Sequence, residues 1–265
     1  MSDDKRGRGR TFVRFSLAQR IEHTVTTVGF IGLCVTGIPQ KYNGAAWADA
    51  AIQGMGGIEL VRVMHRACGA TLVAQCFYHF GALVYNLAVR RVRWTMWPGL
   101  QDLRDAGQMV LFFLGRRPTR ARFDRYDFRQ KVEYLALIWG TLVMVFSGLC
   151  MWFPVQVTSV LPGELIPAAK AAHSGEGMLA LGSILLWHMY SAHLSPDVFP
   201  MDMTIFTGKI SEERIKHEHP LEYERIIAAE EAAERARVEA AERERVAAAE
   251  RARAEAPAPP AGKSA

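Results

Sequence analysis

The chain has 265 residues, about half of them hydrophobic, and a formal net charge of +5. This length would suit one or two soluble domains, but the apolar residues are gathered into long runs. The distribution excludes an ordinary soluble enzyme, and the basic residues follow a membrane topology, so nucleic-acid binding is not needed to explain them.

Four apolar segments are long enough to be transmembrane helices. A helix needs about 20 predominantly apolar residues to cross the hydrocarbon core of a bilayer. Each segment approaches or exceeds this length, and the first is the shortest. The segments are residues 21–38, 64–89, 132–153 and 171–194. The sequence therefore predicts an all-α integral membrane protein with a four-helix transmembrane bundle over residues 21–194.

Basic residues are distributed unevenly between the segments that connect these spans. Residues 1–20 and the connection between spans two and three together carry seventeen Lys and Arg, whereas the other two connections carry three. Because Lys and Arg favour the cytoplasmic side, we expect both termini to be cytoplasmic and the membrane to be the bacterial inner membrane. Residues 1–20, a basic N-terminal segment, lack the apolar centre of a secretory signal, so the first span is predicted to be retained.

The chain changes character after the fourth span. Residues 195–210 contain Pro196 and Pro200 and are predicted to run along the membrane surface. From residue 211, Ala, Glu and Arg dominate, with opposite charges three or four residues apart, which predicts a long, solvated cytoplasmic helix. The Pro- and Ala-rich end of this 211–265 region, residues 257–265, is predicted to be disordered.

Six of the eight histidines lie in or at the edges of the predicted spans. Ionisable side chains are costly inside a bilayer, so each of them is a candidate functional residue. They are His23, His65, His79, His173, His188 and His193.

The spacing of the histidines on spans two and four favours haem binding. Helical positions 14 residues apart differ by about 40° and about 21 Å, so His65 and His79 share a face of span two. His173 and His188, 15 residues apart, broadly share a face of span four. Two facing helices would offer one histidine pair near each membrane surface, and haem iron takes axial histidine ligands. The sequence has no CxxCH motif, so these b-type haems would be held without thioether bonds.

Short motifs occur in a fixed order along residues 15–224. They are Arg20-Ile-Glu-His23 opening span one, His65 on span two, Arg125-Tyr-Asp-Phe-Arg-Gln-Lys131 before span three, Ser147-Gly-Leu-Cys-Met-Trp-Phe-Pro154 closing it, His188-Met-Tyr190 on span four, and Gly208-Lys-Ile-Ser211 followed by His219-Pro220. In this order, with matching spans, they resemble the cytochrome b (gamma) subunit of membrane-bound formate dehydrogenases and the related b-type cytochromes of nickel-iron hydrogenases.

The resemblance implies a set of haem ligands. In that family four helices bind two b haems, and the subunit passes electrons from a periplasmic partner to quinone. Matching positions imply that His65 and His173 ligate the iron of the periplasmic haem, and that His23 and His188 ligate the iron of the cytoplasmic haem.

The resemblance also implies a quinone pocket next to span three. Its matching positions are Tyr126, Asp127 and Gln130. The chain departs from the family here, because Asp127 stands where the family favours Asn and Arg129 where it favours Gly. This departure weakens the prediction of quinone contacts at these residues.

His79 introduces an alternative arrangement of the haems. The formate dehydrogenase pattern does not require it, and its spacing resembles the cytochrome b core of bc-type complexes, in which two helices hold both haems. His79 and His188 would then share the cytoplasmic haem and release His23. A third haem becomes possible, because His193 lies about 200° around span four from His173 and could turn towards His23. Two or three haems, and either partner for His188, agree with the sequence.

The function that the sequence favours is electron transfer within a larger complex. The sequence contains no soluble redox domain, nucleotide-binding loop or iron–sulfur motif, so the chain is predicted to be a subunit of a respiratory quinone oxidoreductase rather than an enzyme alone. A periplasmic multihaem cytochrome c or an iron–sulfur subunit would suit as its partner, with quinone and membrane lipids. The competing hypotheses are a histidine-lined metal or proton transporter and a non-redox membrane anchor.

Overall fold

The computed structural model describes residues 9–196 and 198–255, and most of these residues are helical. The elements in chain order are β1 (Thr11–Val13), α1 (Leu17–Lys41), α2 (Ala46–Gly54), α3 (Ile58–Ala88), α4 (Leu100–Phe113), α5 (Phe128–Trp152), α6 (Pro154–Thr158), α7 (Leu165–Ser183), two π-helical segments (Ile184–His188 and Tyr190–Leu194), α8 (Thr204–Thr207), β2 (Lys209–Ser211), α9 (Glu212–Glu218) and α10 (Pro220–Glu255).

Three helices in the described part of the chain, α1, α3 and α5, are long and apolar enough to cross a membrane. They contain most or all of the first three predicted spans. The fourth predicted span, residues 171–194, is divided between α7 and the two π-helical segments. Its backbone hydrogen bonding changes after Ser183 from the α-helical pattern to the wider π-helical one. By length and composition, the structure therefore supports three of the four spans.

Helices α1 and α5 both begin with a capping box. The Ser16 hydroxyl accepts a hydrogen bond from the Gln19 backbone N–H, and the Gln19 side chain accepts one from the Ser16 N–H. Asp127 and Gln130 form the equivalent capping box before α5. Each box satisfies backbone donors that a helix start leaves unpaired, so the sequence itself fixes where these two helices begin.

The long helices associate as two hairpins, with α1 packed along α3 and α5 packed along α7. Glycines permit the close approach. A Cβ added to Gly29 would lie 2.6 Å from Leu72, and one added to Gly140 would collide with Glu176. Small residues serve this purpose in membrane helices, where backbones approach closely to gain van der Waals contact.

A small extramembrane unit brings the N-terminal segment together with the segment that begins at β2. Strands β1 and β2 pair antiparallel, with Phe12 opposite Ile210. Phe12, Ile210 and Ile215 form a buried apolar cluster, against which Tyr223, Ile226 and Ile227 pack. This sheet is not predicted from the sequence, because a strand of three residues is too short to show an alternating pattern of apolar and polar residues.

The helix predicted from residue 211 is interrupted at His219. Pro220 follows, and the residue before a proline is disfavoured in the helical region. His219 accordingly adopts φ −134° and ψ 56°, ending α9 before α10 starts. The interruption turns the His219 side chain inward, where it is 5% exposed.

A buried charged group, which we call the Glu222 cluster, consists of Arg14, Arg125, His219 and Glu222. Glu222 forms ion pairs with both arginines, its contact with Arg125 being 2.7 Å. Arg14 also donates to the His219 ring at 3.1 Å, and the other His219 ring nitrogen donates to the Asp124 carbonyl at 2.7 Å. The cluster therefore ties the N-terminal segment, the connection before α5 and the start of α10 together.

We expect the stability of this extramembrane unit to fall as the pH drops from about 6.5 to about 4. Burial and the nearby Arg14 guanidinium lower the pKa of His219 to about 4. The unfolded chain therefore binds a proton at a pH where the folded chain does not, so protonation favours unfolding by about 3 kcal/mol across this window. Thermal unfolding in detergent as a function of pH measures the effect.

A His219→Gln variant is the control for this pH dependence, because glutamine cannot titrate. It should lose most of the slope between pH 6.5 and pH 4. The ion pair between Asp202 and Arg214 should contribute little in this range: burial raises the pKa of Asp202, but hydrogen bonds from Arg214 and Thr204 outweigh it and lower the pKa to about 2. An equal slope in wild type and variant would assign the effect to other groups.

Candidate functional site

Four of the six predicted site histidines meet as two pairs across the helices. The ring centres of His65 on α3 and His173 on α7 are 6.2 Å apart. The ring centres of His23 on α1 and His188 on the first π-helical segment are 6.3 Å apart. All four side chains are half-buried.

The two pairs lie at opposite ends of the long helices. Thr36, which contacts His65, follows His23 on α1 by 13 residues, and His173 and His188 are separated by 15. At 1.5 Å per residue these separations correspond to about 20 Å along the helix axes. The pairs are therefore two separate sites, one near each end.

Both distances suit a pair of axial ligands on one metal. With a metal–imidazole bond of about 2.0 Å and about 1.1 Å from the nitrogen to the ring centre, two opposed imidazoles hold their ring centres about 6 Å apart. The observed separations of 6.2 and 6.3 Å agree with this value. Haem iron takes such axial ligands.

Hydrogen bonds occupy one ring nitrogen in three of these four histidines. The Nδ1 atom of His65 lies 2.9 Å from the Thr36 hydroxyl, and that of His173 lies 3.0 Å from the Ser147 hydroxyl. The Nδ1 atom of His188 lies 3.3 Å from the Glu133 carboxylate. Metal-binding histidines ordinarily hydrogen-bond through the nitrogen that does not bind the metal, which leaves Nε2 for the ligand bond.

Two glycines leave room for the histidine rings at one of the sites. A Cβ on Gly37 would lie 3.0 Å from the Cε1 atom of His65, and a Cβ on Gly148 would lie 3.3 Å from the same atom of His173. A larger residue at either position would displace the ring. Ring separation, hydrogen bonding and space together indicate that the residues present fit a haem held by two histidines.

His79 has a different environment. Its Nδ1 atom lies 2.7 Å from the Glu22 carboxylate, and its Nε2 atom lies 3.0 Å from the Tyr134 hydroxyl. Both ring nitrogens are therefore engaged by protein groups in this arrangement. Glu22, His79 and Tyr134, which we call the Glu22 triad, join α1, α3 and α5 at the end of these helices where His23 and His188 meet.

His193 lies on the second π-helical segment, five residues after His188. In a π-helix the backbone hydrogen bonds join residues five apart, whereas five residues of α-helix turn through about 140°. The wider winding therefore brings His188 and His193 closer to the same face of the helix. His193 is close enough to His23 for an electrostatic interaction. Its Nδ1 atom is buried and has no hydrogen-bond partner in the described part of the chain.

The residues predicted to contact quinone lie around the start of α5. The Asp127 carboxylate is held by the Gln130 N–H at 2.9 Å and by Arg129, and the Gln130 side chain accepts from the Asp127 N–H. The guanidinium groups of Arg14 and Arg125 lie 5.3 and 5.6 Å from the centre of the Tyr126 ring. The polar atoms of Asp127 and Gln130 are thus used in starting the helix.

Side chains that contact these histidines were not among the predicted site residues. They are Glu22, Thr36, Glu133, Tyr134 and Ser147. The available signals were two carboxylates inside or next to apolar spans, and a hydroxyl residue followed by glycine near the end of both α1 and α5. These residues do not show which histidine they contact until the facing helix is known.

Comparison with known proteins finds a family that covers most of the chain. A model of the family described as prokaryotic cytochrome b561 matches residues 14–198. The cytochrome b556(fdo) subunits of formate dehydrogenase from Escherichia coli strain K12 and from Escherichia coli O157:H7 are each 25% identical to this chain over 185 residues. The matched region covers 69% of this chain and 79% of each relative.

Proposed function

The chain belongs to the prokaryotic cytochrome b561 family and is a membrane cytochrome b with an electron-transfer role, and on this premise we propose that it carries electrons across the bacterial inner membrane through two b haems. The electrons would pass between a periplasmic redox partner and quinone. The observation that carries the proposal is the presence of two histidine pairs at 6.2 and 6.3 Å, one near each end of the helices.

The proposed ligands are His65 with His173, and His23 with His188. Each haem would supply a centre that accepts and releases one electron. The protein residues hold the imidazoles: Thr36 and Ser147 fix the first pair, and Glu133 contacts His188. His79 is not proposed as a ligand, because its two ring nitrogens are hydrogen-bonded to Glu22 and Tyr134.

We further propose the orientation that the basic residues predict, with both termini and the Glu222 cluster on the cytoplasmic side. The run formed by α7 and the π-helical segments is then the fourth span, and His65 and His173 lie near the periplasm. A periplasmic multihaem cytochrome c or iron–sulfur subunit would dock over α2 and α6, which connect the spans at that end.

A haem count tests the proposed function most directly. The pyridine haemochrome assay on the purified protein should give two b haems per chain. Three haems would support a further site that includes His193. A purified protein without b-haem absorption would contradict the proposal and favour the histidine-lined transporter.

The quinone reaction is proposed at the end of the helices that carries His23 and His188. Conversion of quinone to quinol consumes two electrons and two protons, so such a site needs hydrogen-bonding groups for the carbonyl oxygens. The Tyr134 hydroxyl supplies such a group, and Gln130 lies one helical turn from Tyr134 on α5. The predicted quinone contacts Tyr126, Asp127 and Gln130 then form the outer edge of this site.

We expect a Tyr134→Phe variant to slow electron exchange with quinone by about 10²-fold, because the phenol can donate to a carbonyl oxygen and phenylalanine cannot. Its haem content should remain at the wild-type value. Stopped-flow measurement of haem reduction by a quinol, followed by absorption, gives the rate. Tyr85→Phe is the matched control, since Tyr85 lies exposed on α3. Equal rates for Tyr134→Phe and wild type would remove Tyr134 from the quinone site.

A further inference from the structure

Two hydroxyl side chains stand in the same relation to the two histidines of one pair. Thr36 on α1 contacts the Nδ1 atom of His65, and Ser147 on α5 contacts the Nδ1 atom of His173. The hydroxyl residues are among the most buried in the described chain, 1% and 2% exposed. Groups buried this completely ordinarily satisfy their hydrogen bonds within the protein, so these contacts are a defined part of the fold.

The direction of each hydrogen bond follows from the other partner of the hydroxyl. Thr36 lies 2.6 Å from the Gly32 carbonyl, and Ser147 has the equivalent contact with the Val143 carbonyl. A carbonyl oxygen only accepts, and a hydroxyl has a single proton to donate. The hydroxyl oxygen therefore accepts from the imidazole, which places the proton of His65 and of His173 on Nδ1. Each ring is left with its Nε2 lone pair available to a metal.

The arrangement occurs twice in the chain, on different helices. On α1, Gly29 precedes the Thr36-Gly37 pair by the same spacing with which Gly140 precedes the Ser147-Gly148 pair on α5. His65 and His173 are likewise each followed by glycine four residues later. The connections between the paired helices differ in length and contain different elements, α2 and α6. The hydroxyl–imidazole contact therefore arises from the helix pairs themselves and not from the connecting segments.

We infer that Thr36 and Ser147 are positioning residues that hold His65 and His173 in the Nδ1-protonated form and set the reduction potential of the haem that these histidines bind. The inference rests on the proposed function. A hydrogen bond from Nδ1–H to an acceptor increases the basicity of the ligand nitrogen, which favours the oxidised iron. At the other pair, the described residues show a different contact, because the Nδ1 atom of His188 lies 3.3 Å from the Glu133 carboxylate and not from a hydroxyl.

The test removes each hydroxyl and measures both reduction potentials. In Thr36→Val, in Ser147→Ala and in the combined variant, one potential should rise and the other should stay at its wild-type value. We expect the reduction equilibrium of the affected haem to shift by about three- to tenfold per variant, which is about 30 to 60 mV for one electron. Redox titration followed by b-haem absorption gives the potentials, and the pyridine haemochrome assay gives the haem content.

Two further variants separate positioning from a general loss of structure. Thr36→Ser keeps the hydroxyl and should restore the wild-type potential. Thr71→Val is the matched control, since Thr71 donates to the Ala67 carbonyl at 2.9 Å in the same way but is exposed on α3. If Thr36→Val instead loses one haem, a full haem content in Thr36→Ser supports the inference, and the loss of one haem there as well overturns it.

The outcomes also distinguish this inference from the proposed function. Wild-type potentials in Thr36→Val and Ser147→Ala proteins that retain two haems would overturn the inference and leave the function intact. A wild-type protein without haem would overturn the function itself. A shift of both reduction potentials in Thr36→Val or Ser147→Ala, or of either potential in the Thr71→Val control, would show that the variants act through general packing. Either result would also overturn the inference.

Discussion

Replacing His65 with alanine is expected to leave one b haem per chain in place of two. The variant removes one of two proposed axial ligands, while His173, Thr36 and Ser147 remain in place. His173→Ala should have the same effect, because the ring centres of the two histidines are 6.2 Å apart and the pair is proposed to act on a single iron. The pyridine haemochrome assay and the b-haem absorption spectrum measure the loss, and circular dichroism checks that the helices are retained.

His217→Ala is the control for this experiment, since His217 is exposed on α9, outside the bundle. It should keep the wild-type haem content. Two haems per chain in both the His65→Ala and the His173→Ala proteins would make the assignment of this pair wrong. The same measurement on His23→Ala and His79→Ala tests which histidine binds the haem together with His188. The geometry predicts that His23→Ala loses one haem and that His79→Ala keeps both.

The second large effect is expected in the extramembrane unit. Glu222→Gln should lower the free energy of unfolding of this unit by about 3 to 5 kcal/mol, since the Glu222 carboxylate is the counter-charge for two arginines and the change leaves them uncompensated. Arg14 is 4% exposed and cannot regain full hydration without opening the cluster. Thermal unfolding in detergent and limited proteolysis near β1 and α10 measure the loss.

Glu224→Gln provides the matched control for Glu222. Glu224 pairs with Arg122, but both side chains are 58% exposed, so the pair is screened by water. Its loss should cost at most about 1 kcal/mol. Equal destabilisation by the two variants would mean that the burial of the Glu222 cluster contributes nothing, and would contradict the prediction.

The two proposed haem sites differ in the groups that surround them. The His65 and His173 rings are fixed by neutral hydroxyls, whereas His188 contacts Glu133 and follows a change in helix winding. The Glu22 triad lies at the same end as His188. Glu22, Glu133 and Tyr134, which contact His79 or His188, thus lie at the end of the helices where we propose that quinone exchanges electrons and protons.

Some of the architecture was predictable from residue order. The apolar runs predicted the three membrane-length helices, since span length is fixed by bilayer thickness. The short motifs around His23, His65 and His188 identified the family. The family resemblance predicts quinone contacts at Asp127 and Gln130, and the structure adds that these residues cap the start of α5. That role depends on local backbone geometry, which the family resemblance did not address.

The sequence by itself determined that the chain is a membrane protein and which histidines are candidate haem ligands. Hydropathy and helical spacing are properties of single segments, so they can be read without a structure. Only the tertiary structure decided which rings meet: His23 lies opposite His188, and His79 is bound by Glu22 and Tyr134. The reason is that spacing fixes where a side chain stands along and around its own helix, while the choice of partner depends on the facing helix and, at His188, on a π-helical winding that changes the angle between successive residues.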